Sequence, residues 1–305
     1  MRISTNTIYQ SGYSKLNDLQ AKQSKLQEQI ATQRRILSPS DDPVASARAL
    51  EVSHEQAVNK TFADTRKVAQ LKLGTLEANL NNITNVVLSA QSTLVAAGNA
   101  SLSDSERKVM GTELQNSLES LIGIANTQDA SGNFVFAGFK SNVTPFTATA
   151  TGATYNGDSQ QQMLQVDPQR QMSVNITGDS LFQGGGNDVF KTLSDIVTLL
   201  NTPITNAATQ TAFNTGLTTA IGNLKGSLDT VLNARTSVGT KMNELDALDT
   251  AGTDRDLQYS ASLSDLQDLD VVAALSDFSK QQTIIEAAQK SFVQTTSLSL
   301  FNFMN

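Results

Sequence analysis

Residues 73–94, LGTLEANLNNITNVVLSAQSTL, decide the fold of this chain. Their apolar side chains recur at alternating steps of three and four residues. They are Leu73, Leu76, Leu80, Ile83, Val87, Ala90 and Leu94. Such steps average about 3.5 residues, so an α-helix presents these side chains as one narrow stripe that faces a partner helix along its length. The stretch therefore predicts long helices that pack side by side.

The same spacing recurs in the second half of the chain and near both ends. In the second half it comprises Leu217, Ile221, Leu224, Leu228, Val231, Arg235, Val238, Met242 and Leu245. Near the N-terminus it comprises Leu16, Leu19, Gln23, Leu26, Ile30, Gln33 and Leu37. Near the C-terminus Val271, Phe278, Ile285 and Phe292 follow at steps of seven, and then come Leu300 and Phe303. We expect this last helix to begin after a break at Ala251-Gly252-Thr253-Asp254.

Two other breaks between the predicted helices contain capping residues. In Ser38-Pro39-Ser40-Asp41-Asp42-Pro43, Pro39 cannot continue a helix, Asp42 is a good N-cap and Pro43 suits a first helical turn. We interpret this stretch as a hinge with a helix cap. Ser103 and Glu106 have the spacing of a capping box, which predicts another helix start.

Residues 131–186 differ in composition from both flanks. They contain 8 of the 18 glycines and only five charged residues. Phe134 and Phe136 alternate with smaller residues, as do Met172, Val174 and Ile176. Together with turn signals at Asn156-Gly157-Asp158 and Gly178-Asp179, this alternation predicts short antiparallel strands. Gly184-Gly185-Gly186 reads as a flexible hinge, and Asn187-Asp188 after it as a helix cap.

The fold class predicted is mainly α with a small inserted β module, an elongated helical rod with coiled-coil terminal helices. The division is into three parts. Residues 1–42 with 256–305 form a terminal coiled coil, residues 43–130 with 187–255 form the helical rod, and residues 131–186 form a β-rich outer module.

Composition argues against several classes of function. The 305 residues include 22 basic and 29 acidic side chains, a net charge of −7, which disfavours binding to nucleic acid. There is no cysteine and one histidine, His54, so thiolate chemistry and multi-histidine metal sites are excluded. We expect no enzyme activity, no cofactor and no metal. We also expect no membrane span and no cleaved secretory leader.

The two terminal stripes allow two arrangements. They can close on each other within one chain, or they can complete their packing only inside a polymer, where assembly and ordering are coupled. We favour the polymer. The residues that we expect to carry subunit assembly are Leu16, Leu19, Leu26, Ile30, Leu37, Phe278, Ile285, Phe292, Leu300 and Phe303.

Several stretches resemble a known family. They are residues 1–4 (MRIS), 35–43 (RILSPSDDP), 132–138 (GNFVFAG) and 155–158 (YNGD). With the helical ends and the inserted β module, they resemble the bacterial flagellar axial proteins, flagellin and its hook-associated relatives. The 132–138 stretch, the small middle module and the ending of residues 298–305 favour a hook–filament junction protein over a filament subunit.

The resemblance implies a fold, a function and partners. The chain would leave the cell through the flagellar type III export apparatus, without a cleaved signal, and assemble outside the cell as a ring in the flagellum. It would join the hook, through the first hook-associated protein, to flagellin, and contact further copies of itself. A flagellar export chaperone would bind the C-terminal stretch around Phe278, Ile285 and Phe292.

Three alternatives stay open at this point. The nearest is flagellin itself, the subunit of the filament. Another is a hydrolase hosted by the β module and using Asp158 or Asp179, although no nucleophile or base accompanies either carboxylate in the sequence. The third is an intracellular coiled-coil scaffold.

Overall fold

The computed structural model describes residues 5–301, with the side chains of residue 7 and of residues 9–295. They form two compact units. Within the described range, the terminal unit contains residues 5–58 and 254–301, and the central unit contains residues 59–253. The structure is mainly helical with a few short strands, as predicted. The three-part division given above stays a prediction.

The terminal unit is built from four helical segments. Helix α1 covers Thr5–Thr32 and helix α7 covers Val271–Phe301. The other two segments are the first part of α2, which covers Pro43–Ala97, and the last part of α6, which covers Ala207–Gln267. Helix α2 begins at the predicted proline, and Asp42 accepts a hydrogen bond from the Ala45 amide at 3.0 Å. The predicted N-cap is confirmed.

The central unit contains the stripes that the sequence predicted. Their most buried members are at most 2% exposed. In α2 they are Leu73, Leu76, Leu80, Ile83, Val87, Ala90 and Leu94; in α6 they are Leu224, Val231, Val238 and Leu245. The members between them in α6, such as Leu228 and Met242, are half-buried. Each stripe thus covers one narrow side of its helix, as expected for helices packed along their length.

Helix α3 covers Asp104–Ala125 and has the predicted capping box. The Ser103 hydroxyl accepts a hydrogen bond from the Glu106 amide, and a Glu106 carboxylate oxygen accepts one from the Ser103 amide. Helix α3 buries Leu114, Leu118 and Leu121 on one side. It packs against α5, which covers Val189–Asn201 and is capped by Asp188 as predicted.

Two β-hairpins lie in the middle of the chain. Strand β1 (Phe146–Thr149) pairs antiparallel with β2 (Gly152–Tyr155), and β3 (Met163–Asp167) pairs antiparallel with β4 (Arg170–Ser173). The two hairpins are separate two-stranded sheets within the described part of the chain. The short helix α4 (Gly178–Phe182) and a 3-10 turn at Gly184–Gly186 follow.

The predicted strand around Phe134 and Phe136 is wrong. Phe136 and its neighbour Ala137 are both fully buried, whereas a half-buried strand would bury every second residue. Their backbone groups also bond to separate segments. The Phe136 carbonyl accepts from the Gly178 amide at 2.9 Å, and the Ala137 carbonyl from the Asp158 amide at 3.2 Å. This segment is a connector between other elements.

The two predicted turn signals lie outside the hairpin turns. The β1–β2 turn is at residues 150–151 and the β3–β4 turn at residues 168–169. Asn156-Gly157-Asp158 instead follows β2, where Asp158 accepts hydrogen bonds from the Phe139 and Gln160 amides. Gly178-Asp179 opens α4. At these positions Gly and Asp lie where a strand ends or a helix begins. Both residue types are as common at such ends as they are in hairpin turns, so they do not distinguish the two cases.

The aromatic core of the central unit joins the β1–β2 hairpin to the helices. The Phe146 ring lies 5.3 Å from Phe182 and 4.9 Å from Phe190, measured between centroids. The Tyr155 hydroxyl donates to the carbonyls of Phe136 and Asp158, at 2.9 and 2.8 Å. Burial raises the pKa of Tyr155 to about 12. The phenol is therefore a neutral donor that ties the connector to the hairpin.

The predicted break at residues 251–254 is wrong, because α6 runs through it to Gln267. The chain breaks instead at residues 268–270, before α7. Gly252 serves packing between helices. Its carbonyl accepts from Asn59 Nδ2 at 2.8 Å, and the buried Arg66 side chain lies directly against its Cα.

Candidate functional site

The predicted terminal stripes of α1 and α7 face each other within the terminal unit. The half-buried residues of α1 include Gly12, Leu16, Leu19, Gln23, Leu26 and Ile30. Those of α7 include Val271, Phe278, Gln281 and Phe292, with Ala274 and Ile285 buried. We call these two sets the terminal seam. Of the predicted assembly residues it contains Leu16, Leu19, Leu26, Ile30, Phe278, Ile285 and Phe292.

The two helices of the terminal seam run antiparallel. The Tyr9 and Phe292 rings lie 5.2 Å apart, whereas Gln281 Nε2 donates to the Leu19 carbonyl at 3.3 Å. Gly12 lets the helices approach, since a Cβ there would lie 2.6 Å from the Phe292 ring. The two stripes therefore cover each other within one chain, which is the first of the two arrangements that the sequence allowed.

Of the remaining predicted assembly residues, the structure describes the side chain of Leu37 alone, and it stands apart from the seam. Leu37 is not on α1, because the helix ends at Thr32 and Gln33 adopts a left-handed φ of 57°. The heptad spacing continued past the true helix end. Phe303 lies outside the described residues, and the side chain of Leu300 is likewise outside them.

The terminal seam leaves large apolar side chains exposed beside it. Tyr13 of α1 is 58% exposed, and Leu275 and Ile284 of α7 are 50% and 49% exposed. A pair of helices covers only one stripe on each, so side chains that flank the stripe stay accessible to additional helices. The sequence analysis missed these flanking residues, although their positions next to the predicted stripe would have identified them.

At one end of the terminal seam, residues 33–42 and 268–270 form what we call the joint. Arg34 and Asp268 form an antiparallel β-bridge. The Arg35 amide donates to the Gln267 carbonyl at 2.8 Å, and the Leu269 amide donates to the Gln33 carbonyl at 3.0 Å. The α1–α2 and α6–α7 breaks are thus cross-linked by backbone hydrogen bonds. The sequence signalled only the first of them.

The predicted hinge and cap residues Ser38, Pro39, Ser40, Asp41, Asp42 and Pro43 all belong to the joint or adjoin it. Asp41 accepts hydrogen bonds from the Leu37 and Ser38 amides, both at 3.1 Å, and pairs with Lys25. The Lys25 ammonium and the Ser38 amide lower the pKa of the Asp41 carboxyl. The Ala45 amide and the Arg35 guanidinium lower that of Asp42. Both carboxylates are therefore held in their charged form.

The joint also contains a link through a side chain. Arg35 donates through Nη1 to Asp42 at 3.1 Å and through Nη2 to the Leu266 carbonyl at 2.7 Å. One guanidinium thus connects the start of α2 to the end of α6, two elements that the joint brings together. Arg35 was not among the predicted hinge residues, because a basic residue before a helix cap gives no distinct signal.

The carboxylates considered for catalysis have structural partners. Asp158 bonds to two backbone amides, as described above, and Asp179 Oδ2 accepts from the Ser159 hydroxyl at 2.6 Å. His54 is exposed on α2. Across residues 5–301, acidic and histidine side chains form no cluster of three that could hold a metal. Nor is any helix in that range long and apolar enough to cross a membrane.

Comparison with known proteins agrees with this architecture. Residues 3–141 match the model of the bacterial flagellin N-terminal helical region. The flagellar hook-associated protein 3 of Escherichia coli (strain K12) is 34% identical to the chain, and so is that of Salmonella typhimurium (strain LT2); each match covers 99% of both sequences. A solved structure described as a putative flagellar hook-associated protein from Vibrio parahaemolyticus is 24% identical. It aligns with a TM-score of 0.69 over 75% of this chain and 100% of its own.

The 34% matches run from end to end, so they include the terminal helices, the joint and the central unit alike. The solved structure from Vibrio parahaemolyticus shares the fold of this chain over the aligned part. The chain therefore belongs to the family of the flagellar hook-associated protein 3, within the wider flagellin group.

Proposed function

We infer that the protein is a structural adaptor of the bacterial flagellum, placed at the hook–filament junction. The observation that carries this function is the 34% identity over nearly the whole chain to two proteins named flagellar hook-associated protein 3. A mechanical function also suits the chemistry of the chain, since its buried polar groups hold helices and hairpins together. Its role is structural rather than catalytic.

Assembly would proceed through the terminal helices. The terminal seam holds α1 and α7 together, and exposed Tyr13, Leu275 and Ile284 beside it would receive helices of neighbouring subunits. Burying such side chains contributes roughly 25 cal/mol for each Å² of apolar surface removed from water, so repeated contacts around a ring would add up. Leu300 and Phe303 would take part in the same subunit assembly.

The partners follow from the place of the adaptor. One end of the assembled ring would contact the first hook-associated protein and the other would contact flagellin, while lateral contacts would join copies of this chain. Residues 131–186 would form an outer module. The joint would fix the path of the chain between α1 and α2 and between α6 and α7.

Delivery would use the flagellar type III export apparatus, so that the protein acts outside the cell. An export chaperone would bind the C-terminal stretch around Phe278, Ile285 and Phe292. A pull-down with the chain lacking residues 270–305 tests this site: loss of chaperone binding is expected, and undiminished binding would contradict it.

The function is tested by complementation of a strain that lacks the gene for this chain. We expect cells without it to export flagellin into the medium without building filaments, and the intact gene to restore filaments and swimming. Immunolabelling should place the protein at the proximal end of the filament. Normal filaments on the deletion strain would refute the proposal.

The C-terminal assembly segment is tested by removing residues 292–305. The truncated protein should stay folded, as judged by circular dichroism, yet fail to join the junction and fail to restore filaments. The matched control is a chain of full length with Ser291→Ala, an exposed position on the same helix, which should restore them. Normal filaments with the truncated chain would refute the assignment of assembly to this segment.

The alternative is that the chain is a filament subunit. Seeding purified protein onto filament fragments separates the two functions, because a flagellin extends the fragments whereas a junction protein adds little. The names of the 34% identical relatives favour the junction protein.

A further inference from the structure

Helix α2 has an exposed stripe in the central unit, on the side opposite its buried leucines. It contains the exposed residues Lys67, Leu71 and Ala78 and the half-buried Gly74, which follow one another at steps of four, three and four. Leu71 is 74% exposed and stands between two surface hollows of about 690 and 460 Å³. An exposed leucine that lines two hollows offers apolar surface on which another helix can pack.

Helix α3 has a second exposed stripe in the same unit. Glu106, Val109, Glu113 and Asn116 lie on the side opposite the buried residues Leu114 and Leu118. Val109 is 71% exposed, which makes it, with Leu71, one of the two most exposed large apolar side chains described in the central unit. Its neighbours on the stripe are acidic, whereas Leu71 has Lys67 beside it.

The residue spacing of the α2 stripe equals that of the α3 stripe taken in the opposite chain direction. From Lys67 the steps to Leu71 and Gly74 are four and three; from Glu113 backwards the steps to Val109 and Glu106 are also four and three. An antiparallel pairing therefore places Leu71 opposite Val109 and Lys67 opposite Glu113, with the small Gly74 opposite Glu106. The apolar side chains meet, and a basic one meets an acidic one.

The stripes cannot meet within one chain. Thr93 of α2 donates to Glu113 of α3 at 3.1 Å, and Thr93 lies 22 residues beyond Leu71 on the same helix. At about 1.5 Å per residue, Glu113 is on the order of 33 Å from the level of Leu71. Helix α3 returns antiparallel to α2, since Thr127 beyond its end lines the hollow beside Leu71. Two copies in the same orientation thus offer each other antiparallel stripes.

We propose that the Leu71 stripe of one copy binds the Val109 stripe of the next copy. The inference rests on the proposed function, because it names the lateral contact by which copies would form the junction. The contact joins unlike surfaces, so it leaves one stripe free on each end copy. Because the two stripes lie at different levels along α2, each contact also shifts the next copy along the helices, and the contact propagates as a helix. Opposite charges at Lys67 and Glu113 set the register and select the partner.

Lys67 and Glu113 each interact with a residue of their own chain, and these interactions can persist when the contact between copies forms. Lys67 lies 3.8 Å from Asp64 of α2, and Glu113 accepts from Thr93. In the antiparallel register Asp64 faces Asn116, so no pair of like charges is brought together. Lys108 lies on the flank of the α3 stripe rather than in it.

Cysteine cross-linking tests the contact, since the chain contains no cysteine of its own. Leu71→Cys and Val109→Cys would be introduced singly and together in the full chain, and flagella would be isolated and oxidised. The double variant should give a ladder of multimers, and each single variant should stay monomeric. Leu232→Cys with Val109→Cys is the matched control, because Leu232 is exposed on α6 outside both stripes, and it should give no ladder.

The outcomes separate this proposal from the function on which it rests. Restored filaments without a ladder from the double variant would overturn the contact and leave the junction function intact. Dimers from Leu71→Cys alone would overturn it in favour of a symmetric contact. Failure of the unaltered chain to restore filaments would instead refute the function.

Charge reversal gives a second, independent measurement if the cysteine variants fail to assemble. Lys67→Glu and Glu113→Lys should each lower the number of filaments per cell several-fold, and the double reversal should restore most of them. Equal defects in the single and double variants would overturn the predicted pairing.

Discussion

Gly252 of α6 lies against Arg66 of α2 so closely that a Cβ at position 252 would be 2.3 Å from Arg66 Nη2. The Arg66 side chain is 1% exposed, donates from Nε to Asp249 at 3.2 Å and from Nη1 to the Val166 carbonyl at 3.2 Å. One buried guanidinium therefore connects α2, α6 and the β3–β4 hairpin. The absence of a side chain at residue 252 makes room for it.

Gly252→Ala should destabilise the central unit. Alanine favours a helix interior over glycine by up to about 1 kcal/mol, but the new Cβ would displace a buried cation from its acceptors. Leaving such groups unsatisfied costs about 1–3 kcal/mol each, so we expect a net loss of about 1–2 kcal/mol in the free energy of unfolding. Urea denaturation followed by circular dichroism measures it.

Gly239→Ala is the matched control for this prediction. Gly239 lies on the same helix, and a Cβ there would meet nothing within 4 Å. We expect the control to raise the free energy of unfolding by about 0.5–1 kcal/mol, through helix propensity alone. Equal effects of the two substitutions would show that Arg66 yields to the added methyl group without loss.

The same pair of residues explains what the sequence could and could not predict. The stripes in residues 73–94 and 217–245 recur over many turns, so local spacing was enough to identify the helices that bury Leu80 and Leu224. Gly252 looked like a helix break because glycine lowers helix propensity wherever it occurs. In the structure Gly252 lies inside α6, where it makes room for Arg66, 186 residues earlier in the chain, and no local pattern contains that contact.

The candidate site was predictable to a similar extent. Leu16, Leu19, Phe278 and Ile285 follow from spacing, and the structure brings them together. One of the two segments of the joint could be predicted, because proline and aspartate indicated a break at residues 38–43. Its other strand, residues 268–270, lacks glycine and proline, and its place is fixed by the hydrogen bonds to Gln33 and Arg35.

Removing the Tyr155 hydroxyl should weaken the β1–β2 hairpin. Tyr155→Phe keeps the ring, 5.1 Å from Phe146, but deletes the donor shared by the Phe136 and Asp158 carbonyls. We expect a loss of about 1–3 kcal/mol in the free energy of unfolding, because the Asp158 carbonyl loses this donor, while the Phe136 carbonyl keeps the Gly178 amide. Tyr13→Phe, at an exposed position on α1, is the control and should be neutral within about 0.5 kcal/mol. A neutral Tyr155→Phe would mean that water replaces the phenol.

Adding a side chain at Gly12 should loosen the terminal seam. Gly12→Val would place side-chain atoms where the Phe292 ring now packs, so the ends of α1 and α7 should separate there. We expect faster limited proteolysis of the first and last thirty or so residues, with the central unit unaffected. Ser11→Val, one position away and exposed, carries the same β-branched side chain and should leave the cleavage rate near that of the unaltered protein. Equal cleavage of the two variants would show that the Phe292 contact does not hold the seam.

Acid should loosen the joint through Asp41 and Asp42. Their pKa values in the folded protein are lowered from 3.8, so the stability that they contribute is present above about pH 4. It is lost as the pH falls through the lower folded pKa values, because protonated carboxyls no longer accept from the Leu37, Ser38 and Ala45 amides as strongly. Amide hydrogen exchange at these three positions, corrected for the intrinsic rate, should therefore lose protection as the pH falls below about 4.

The double substitution Asp41→Asn with Asp42→Asn separates this effect from general acid unfolding. Neutral amides keep the size of the side chains but lack the charge that pairs with Lys25 and Arg35. The variant should show reduced protection at pH 7 and little further loss on acidification, whereas Asp18→Asn, on α1 outside the joint, should behave as the unaltered chain does. If the double variant loses protection with pH as steeply as the unaltered protein, groups other than these two aspartates control the joint.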